Sequence, residues 1–439
     1  MNKRVFIGAL LAATLLLCGC GGSPAPDAAS GGGTRILLEG DHATIRGGGA
    51  KANGNIVTIS AVGSYVLSGE LEGQVIVNTG DDAMDVTLVF EGVSITDEVG
   101  PVLWIQQAKD VHLQLARDSE NLLRSGKEED LATFDASREG AALYAEDDLK
   151  IEGSGKLTIQ GYRNNGITCK DDLDILDGSL LVQAANNGIR ASESLDIRGG
   201  AIAVQAGNDG LKTSSAEKDG KGWIRIRDGA VTVDAQGDGI SAETDLFIEG
   251  GSLSIAGGQA VFANADPALL DGRRALKAKG NLTIQDGTLM LLAPNGDGIR
   301  AGGEATLSGG TVVIQAGDDG IQTGGQGSGV GALTLSGSQL FVCAENQALK
   351  CEGGFAVNGG RLLALADSGK QMVGSGSQPC LFASVRGKAG DSFEIQGADW
   401  LADFRASYDY KSLLYSDETL KSGETVTVRC GDRELQATA

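Results

Sequence analysis

The sequence predicts an all-β solenoid, a parallel β-helix of about 22 residues per rung closed by a C-terminal β cap. The first observation is a phrase of glycine or alanine, an aliphatic residue, a variable residue and a small one. It recurs as Gly166-Ile167-Thr168-Cys169, Gly188-Ile189-Arg190-Ala191, Gly210-Leu211-Lys212-Thr213, Gly239-Ile240-Ser241-Ala242, Ala275-Leu276-Lys277-Ala278, Gly298-Ile299-Arg300-Ala301, Gly320-Ile321-Gln322-Thr323 and Ala348-Leu349-Lys350-Cys351. The spacings are 22, 22, 29, 36, 23, 22 and 28 residues. A fixed period with a few lengthened rungs marks a stacked repeat, not a closed globular domain. The second observation is strict alternation within a rung, as in Leu195-x-Ile197 and Ile202-x-Val204-x-Ala206, the period-2 signature of strands. The third is glycine punctuation, Gly199-Gly200 and Gly207, with hardly a helix signal between. Each rung therefore offers three short strands joined by tight corners. Such strands bury no face alone, whereas parallel stacking buries the Leu/Ile/Val columns and pairs each backbone amide with a neighbouring rung. A leucine-rich repeat would need a helical half, and a propeller blade would be about twice as long.

From the N-terminus, residues 1–19 read as a lipoprotein signal peptide. Lys3 and Arg4 precede an apolar run from Val5 to Leu17, and Leu17-Cys18-Gly19-Cys20 resembles a bacterial lipobox with Cys20 as the lipid-bearing residue. The run is too short to span a bilayer. Residues 20–34, rich in Gly, Ser, Pro and Ala, form a flexible tether. The expected location is extracytoplasmic, lipid-anchored to a bacterial membrane. Residues 35–380 form the β-helix domain, with regular rungs expected from about Asn55. Ser214 to Lys221, Ala260 to Arg274 and Gly324 to Gly331 lengthen single rungs, and residues 119–139 form a charged excursion. Residues 381–439 form the cap: the glycine rhythm fades there, and Glu424–Arg429 reads as a terminal strand. An uncapped end would expose strand edges.

The formal charge of −22 becomes −24 once Lys3 and Arg4 are removed. Such acidity argues against nucleic acid and anionic lipid surfaces and suits an extracytoplasmic protein that binds cations. The only histidines are His42 and His112, and no Cys/His cluster is present, which excludes zinc hydrolases and most histidine triads. Cys169 and Cys351 share a small-residue column and read as packing thiols. Cys380 and Cys430 could pair as a disulfide in an oxidising compartment.

Two columns carry candidate chemistry. The pairs before each phrase include Asn208-Asp209, Gly237-Asp238, Arg273-Arg274, Gly296-Asp297 and Asp318-Asp319. At a strand spacing of about 4.8 Å, Asp209 should stack on Asp238, and Asp297 on Asp319. Bare carboxylates that close repel, and a hard cation with oxygen ligands fits between them. Asn and Asp also favour corners for conformational reasons, and stacked Asn side chains form amide ladders without metal. The third residue of each phrase forms the other column, with Arg190, Lys212, Lys277, Arg300 and Lys350 among its members. Five bases on one outward face of an acidic protein could hold an acidic polysaccharide, Arg bidentately and Lys as a point charge. They could equally form a ladder of surface salt bridges. Trp223, closing one insertion, could stack on a sugar or plug its loop.

The Asx-Asx-Gly-Ile-Arg-Ala phrases, the opening Gly63-Ser64-Tyr65-Val66-Leu67-Ser68-Gly69 and the lipobox together resemble the bacterial carbohydrate-binding lipoproteins with a pectate-lyase-like right-handed parallel β-helix. The resemblance spans residues 55 to about 430. It implies binding of plant-wall polysaccharides such as cellulose or polygalacturonate, with calcium ligands drawn from Asp209, Asp238, Asp297 and Asp319. Substrate-binding residues would be Arg190, Lys212, Trp223, Lys277, Arg300 and Lys350. Calcium-dependent pectate lyases share the fold and use a Lys or Arg base, for which Lys212 and Arg300 are the nearest equivalents. The bases here look like a repeat column without an isolated catalytic cluster, so binding without turnover is the leading expectation. A lyase and a structural or adhesive surface protein are the alternatives. The expected partners are a polysaccharide and, through the lipid alone, a membrane; the chain is expected to act as a monomer without nucleic acid.

Overall fold

The computed structural model describes residues 33–439 apart from 81–84, 134–139, 216–219, 263–264, 266, 326–329, 371–372, 396–400 and 402–403. The signal region with Cys20 lies outside the described residues. Each regular rung supplies three strands, for example Ile189–Ala191, Ser194–Ile197 and Ala201–Ala206. Among the described residues, the first strands of successive rungs stack into a 13-stranded sheet, and the second and third strands belong to a 24-stranded sheet. The latter two merge where a rung runs through its corner as one long strand, as in Val86–Asp97 and Leu333–Ala344. Between regular rungs the pairing is parallel, with each residue opposite its repeat equivalent: Ile189 on Leu211, Leu211 on Ile240, Ile240 on Leu276. The protein is thus an all-β parallel β-helix, and the described residues contain no α-helix.

Two details differ from the sequence expectation: parallel pairing begins ahead of Asn55, and residues 119–139 are not wholly an excursion. The solenoid starts at Thr34–Gly40, which already pairs in parallel with Gly63–Glu72. Its first edge is closed by antiparallel hairpins, Thr34–Gly40 with Ala43–Arg46 and Ala50–Asn53 with Ile56–Ile59, which protect the open end. Hairpins lack the rung period, so Asn55 seemed to be the start. Within the supposed excursion at 119–139, Glu120–Ser125 is an ordinary strand paired in parallel with Val86–Asp97 and Lys156–Gly161. Two polar residues at inward positions, Asn121 and Ser125, hid its alternation; both are buried. Asn121 Oδ1 accepts the Gly92 and Val93 amides, and Ser125 Oγ donates to the Gly100 carbonyl, so neither is left unsatisfied.

At the C-terminal end Tyr410–Ser416 pairs antiparallel with both Phe355–Ala366 and Leu381–Gly387. A three-stranded antiparallel sheet of Phe393–Ile395, Thr425–Cys430 and Arg433–Thr438 lies beyond it. This cap has its own core around Leu363, Phe393, Tyr410 and Leu413. Cys380 packs against the solenoid core and Cys430 inside the cap core; both are free thiols.

The recurring phrase has a packing explanation. A Cβ on Gly166, Gly188, Gly210, Gly239, Gly298 or Gly320 would overlap a γ-carbon of Val182, Val204, Val233, Ile255, Ile314 or Val342 respectively. It would also come within 2.5–2.7 Å of the carbonyl oxygen of the next rung. Two rungs carry Ala275 and Ala348 instead. The residues that take the place of the β-branched partner in those rungs are Leu291, in register with Ile255 and Ile314, and Ala364, in register with Val342. Glycine thus accompanies a side chain branched at Cβ, and alanine accompanies one that is not. Gly188→Ala is expected to destabilise the fold by about 1–3 kcal/mol through overpacking. Gly188→Ala with Val204→Leu, which reproduces the Ala275–Leu291 pairing, should recover part of the loss in thermal melting. A neutral Gly188→Ala would contradict this account.

Candidate functional site

Strands of the 13-stranded sheet are mostly three residues long, the outer two turned inward and buried, so each rung presents one outward side chain. Register pairing lines up Thr168, Arg190, Lys212, Ser241, Lys277, Arg300, Gln322 and Lys350 in that order. Trp223 stands apart from them. It begins Trp223–Ile226 of the 24-stranded sheet, with the Arg225 guanidinium 5.2 Å from its ring centroid and 4.9 Å from that of Phe247. That cation–π sandwich gives Trp223 a structural partner on a different face.

The Asx column beside the sheet begins as an amide ladder. Asn186 Nδ2 donates to Asn164 Oδ1 at 2.9 Å, and Asn165 Oδ1 accepts both the backbone and side-chain N–H of Asn187 at 3.0 Å. Aspartates continue the same pattern with one oxygen. Asp209 Oδ1 accepts the Asp238 amide at 2.9 Å, Asp238 Oδ1 the Arg274 amide at 2.9 Å, Asp297 Oδ1 the Asp319 amide at 3.3 Å, and Asp319 Oδ1 the Gln347 amide at 3.2 Å. The other oxygen takes a lysine from the outward column: Lys212 on Asp209 at 2.6 Å, Lys277 on Asp238 at 2.8 Å and Lys350 on Asp319 at 2.7 Å. Like charges forced into a column are thereby neutralised rung by rung.

Asp297 is the exception. It is buried, and its second oxygen has only Arg274 Nε at 3.8 Å. Burial first, then the neighbouring Asp319 carboxylate, pushes the Asp297 carboxyl above the ordinary carboxylate range, against the pull of Arg274. Carboxylate oxygens of Asp297, Asp318 and Asp319 lie within 4.8 Å of one another, an all-oxygen donor set of the type hard cations prefer. The structure thus brings Asp297 and Asp319 together with Asp318, which the sequence reading did not single out, and commits Asp209, Asp238 and one oxygen of Asp319 to lysines.

The cations sort in the same way. The ion pairs of the outward column involve Lys212, Lys277 and Lys350 and, among the described residues, neither Arg190 nor Arg300. Arg190 Nη2 donates to Ser214 Oγ at 3.3 Å, while its buried Nε has no partner. Arg300 Nη2 lies against Gly325, where a Cβ would come within 2.9 Å of it. The column also extends at least four rungs further toward the N-terminus than the eight phrases show, through Ile76 and Thr58. Tyr144 pairs with Thr168, and Trp104 with Tyr144. The signal was present in Ala142-Leu143-Tyr144-Ala145, which repeats the phrase, but the residues between Tyr144 and Trp104 break the spacing.

A relative described as a carbohydrate-binding domain-containing protein, from Acetivibrio thermocellus, is 35% identical over 293 residues, covering 65% of this chain and 97% of the relative. A solved polysaccharide lyase-like protein from C. thermocellum aligns with a TM-score of 0.43 at 23% identity, over 74% of this chain and 96% of that one. The sequence profile of carbohydrate-binding domain-containing proteins matches residues 53–320 and 270–439. Because this profile spans nearly all of the solenoid and its cap, the chain belongs to the carbohydrate-binding domain-containing protein family.

Proposed function

We propose that the protein is a surface-anchored, non-catalytic polysaccharide-binding lipoprotein, with anionic plant-wall glycans of the polygalacturonate type as its ligand. One observation carries the reading. In an outward column whose lysines are spent on the Asp ladder, Arg190 and Arg300 form no ion pair with a carboxylate among the described residues. A guanidinium matches a sugar carboxylate bidentately. Lys212, hydrogen-bonded to Asp209 at 2.6 Å, is poorly placed as a free base, which favours binding over lysis. Arg190→Ala and Arg300→Ala should each weaken retention on polygalacturonate by about tenfold, the scale of a charge-assisted contact. Lys212→Ala should do less, and added salt should weaken binding of the wild type. Wild-type retention unaffected by both arginine substitutions would defeat the proposal. Unsaturated uronate absorbance, lost in Arg300→Ala, would instead establish a lyase.

Calcium forms the second part of the proposal, with Asp297, Asp318 and Asp319 as ligands. The ion would neutralise a buried carboxylate that the lysine ladder leaves out. Without it, the raised pKa of Asp297 means that the native state binds more protons than the unfolded chain between the two values. Stability should therefore fall as pH rises from the unfolded value near about 3.9 through the folded one. In chelator at neutral pH, Asp297→Asn should raise the melting temperature by about 2 °C. Calcium should stabilise the wild type, by about 2.7 kcal/mol at a hundredfold excess over its dissociation constant, and should leave Asp297→Asn unmoved. A wild type insensitive to calcium would exclude the site.

Anchoring rests on the lipobox-like Leu17-Cys18-Gly19-Cys20. Cys20→Ser expressed in a bacterial host should move the protein from the membrane to the soluble extracytoplasmic fraction; unchanged fractionation would refute lipidation at Cys20.

A further inference from the structure

We propose that Trp104 and Tyr144 form a stacking platform for pyranose rings of the bound glycan, on the N-terminal side of Arg190 in the column that carries it. The proposal rests on the reading of that column as a glycan site. Trp104 pairs in register with Tyr144, Tyr144 with Thr168 and Thr168 with Arg190. The four side chains therefore follow one another at about 4.8 Å per rung along the solenoid axis. Leu103, Ile105, Leu143 and Ala145, which flank the two rings in sequence, are fully buried, so alternation turns both rings outward. Among the described residues they are the only aromatic rings on this column, in a chain with 4% aromatic residues.

The chemistry of the pair suits a saccharide. Trp104 Nε1 is buried and makes no hydrogen bond, so the part of the half-buried indole that meets solvent is carbon. Such a face attracts the weakly positive C–H groups of a pyranose as it attracts other positive edges. Tyr144 shows the same attraction within the protein, since Lys170 Nζ lies 5.8 Å from its ring centroid. That ammonium lies over one face of Tyr144, so a sugar would stack on the opposite face. Thr168, small and buried, lies between the rings and Arg190 in register. Arg190 would fix a carboxylate, and the two rings would hold the next sugars by a contact that salt does not screen.

The test titrates oligogalacturonides into the mature protein while following tryptophan fluorescence and affinity, with each variant's melting temperature recorded. Trp104→Ala and Tyr144→Ala should each lose about three- to tenfold in affinity, and the loss should persist at high salt, where the Arg190→Ala effect fades. Trp104→Phe should keep most of the affinity while abolishing the fluorescence response. If Trp104→Ala and Tyr144→Ala lower only the melting temperature and bind as the wild type does, the rings are packing residues; the platform is then overturned while the arginine reading stands. If oligogalacturonides do not bind but neutral cello-oligosaccharides change Trp104 fluorescence, the anionic reading fails and the platform stands. If neither class changes it, the platform is wrong.

Discussion

The rest of the molecule depends on the in-register parallel ladder between rungs. Each short strand satisfies its amides only with the rungs above and below, so every residue sits about 4.8 Å from its repeat equivalent. Inside, that forces like to stack on like. Ile189, Leu211, Ile240, Leu276, Ile299 and Ile321 form one continuous buried column. The space beside it is tight enough that branching at Cβ in the third strand excludes a methyl group at the start of the first.

The same ladder creates an electrostatic problem at the corners. Asn side chains solve it by donating and accepting in turn along the column. Aspartate can only accept, so the chain supplies a backbone amide to one oxygen and an outward lysine to the other. The basic stripe is therefore largely a counter-charge for the acidic column, and its net availability to a ligand is smaller than its residue count implies. What remains is confined to places where the pattern lapses: two arginines without an ion pair among the described residues, and the buried Asp297 beside Asp318 and Asp319. Positions that break a repeat are where a solenoid has chemistry to spare.

The proposal that a sugar lies on the 13-stranded sheet rests on strand length. With three-residue strands, one outward side chain per rung makes a single file that suits an extended polymer. On the 24-stranded sheet, Trp223, Arg225 and Phe247 instead consume one another's interactions.

The sequence by itself determined the period, the three strands per rung, the parallel stacking and the cap, because alternation and glycine spacing report local geometry directly. It also placed Arg190, Lys212, Lys277, Arg300 and Lys350 in one file, since equal offsets within equal repeats must align. Tertiary structure decided what each of them does. Whether a lysine faces a ligand or an aspartate depends on side-chain reach across rungs: Lys212 finds Asp209 in its own rung, while Lys277 and Lys350 reach back to Asp238 and Asp319. Unequal rung lengths concealed the rest. Trp223 belongs to the second strand of its rung and so turns to another face, while Trp104 and Tyr144 join the file through pairing that no fixed spacing announces. Periodicity carries residues into columns, but only packing shows which column, and with what partner, each side chain ends.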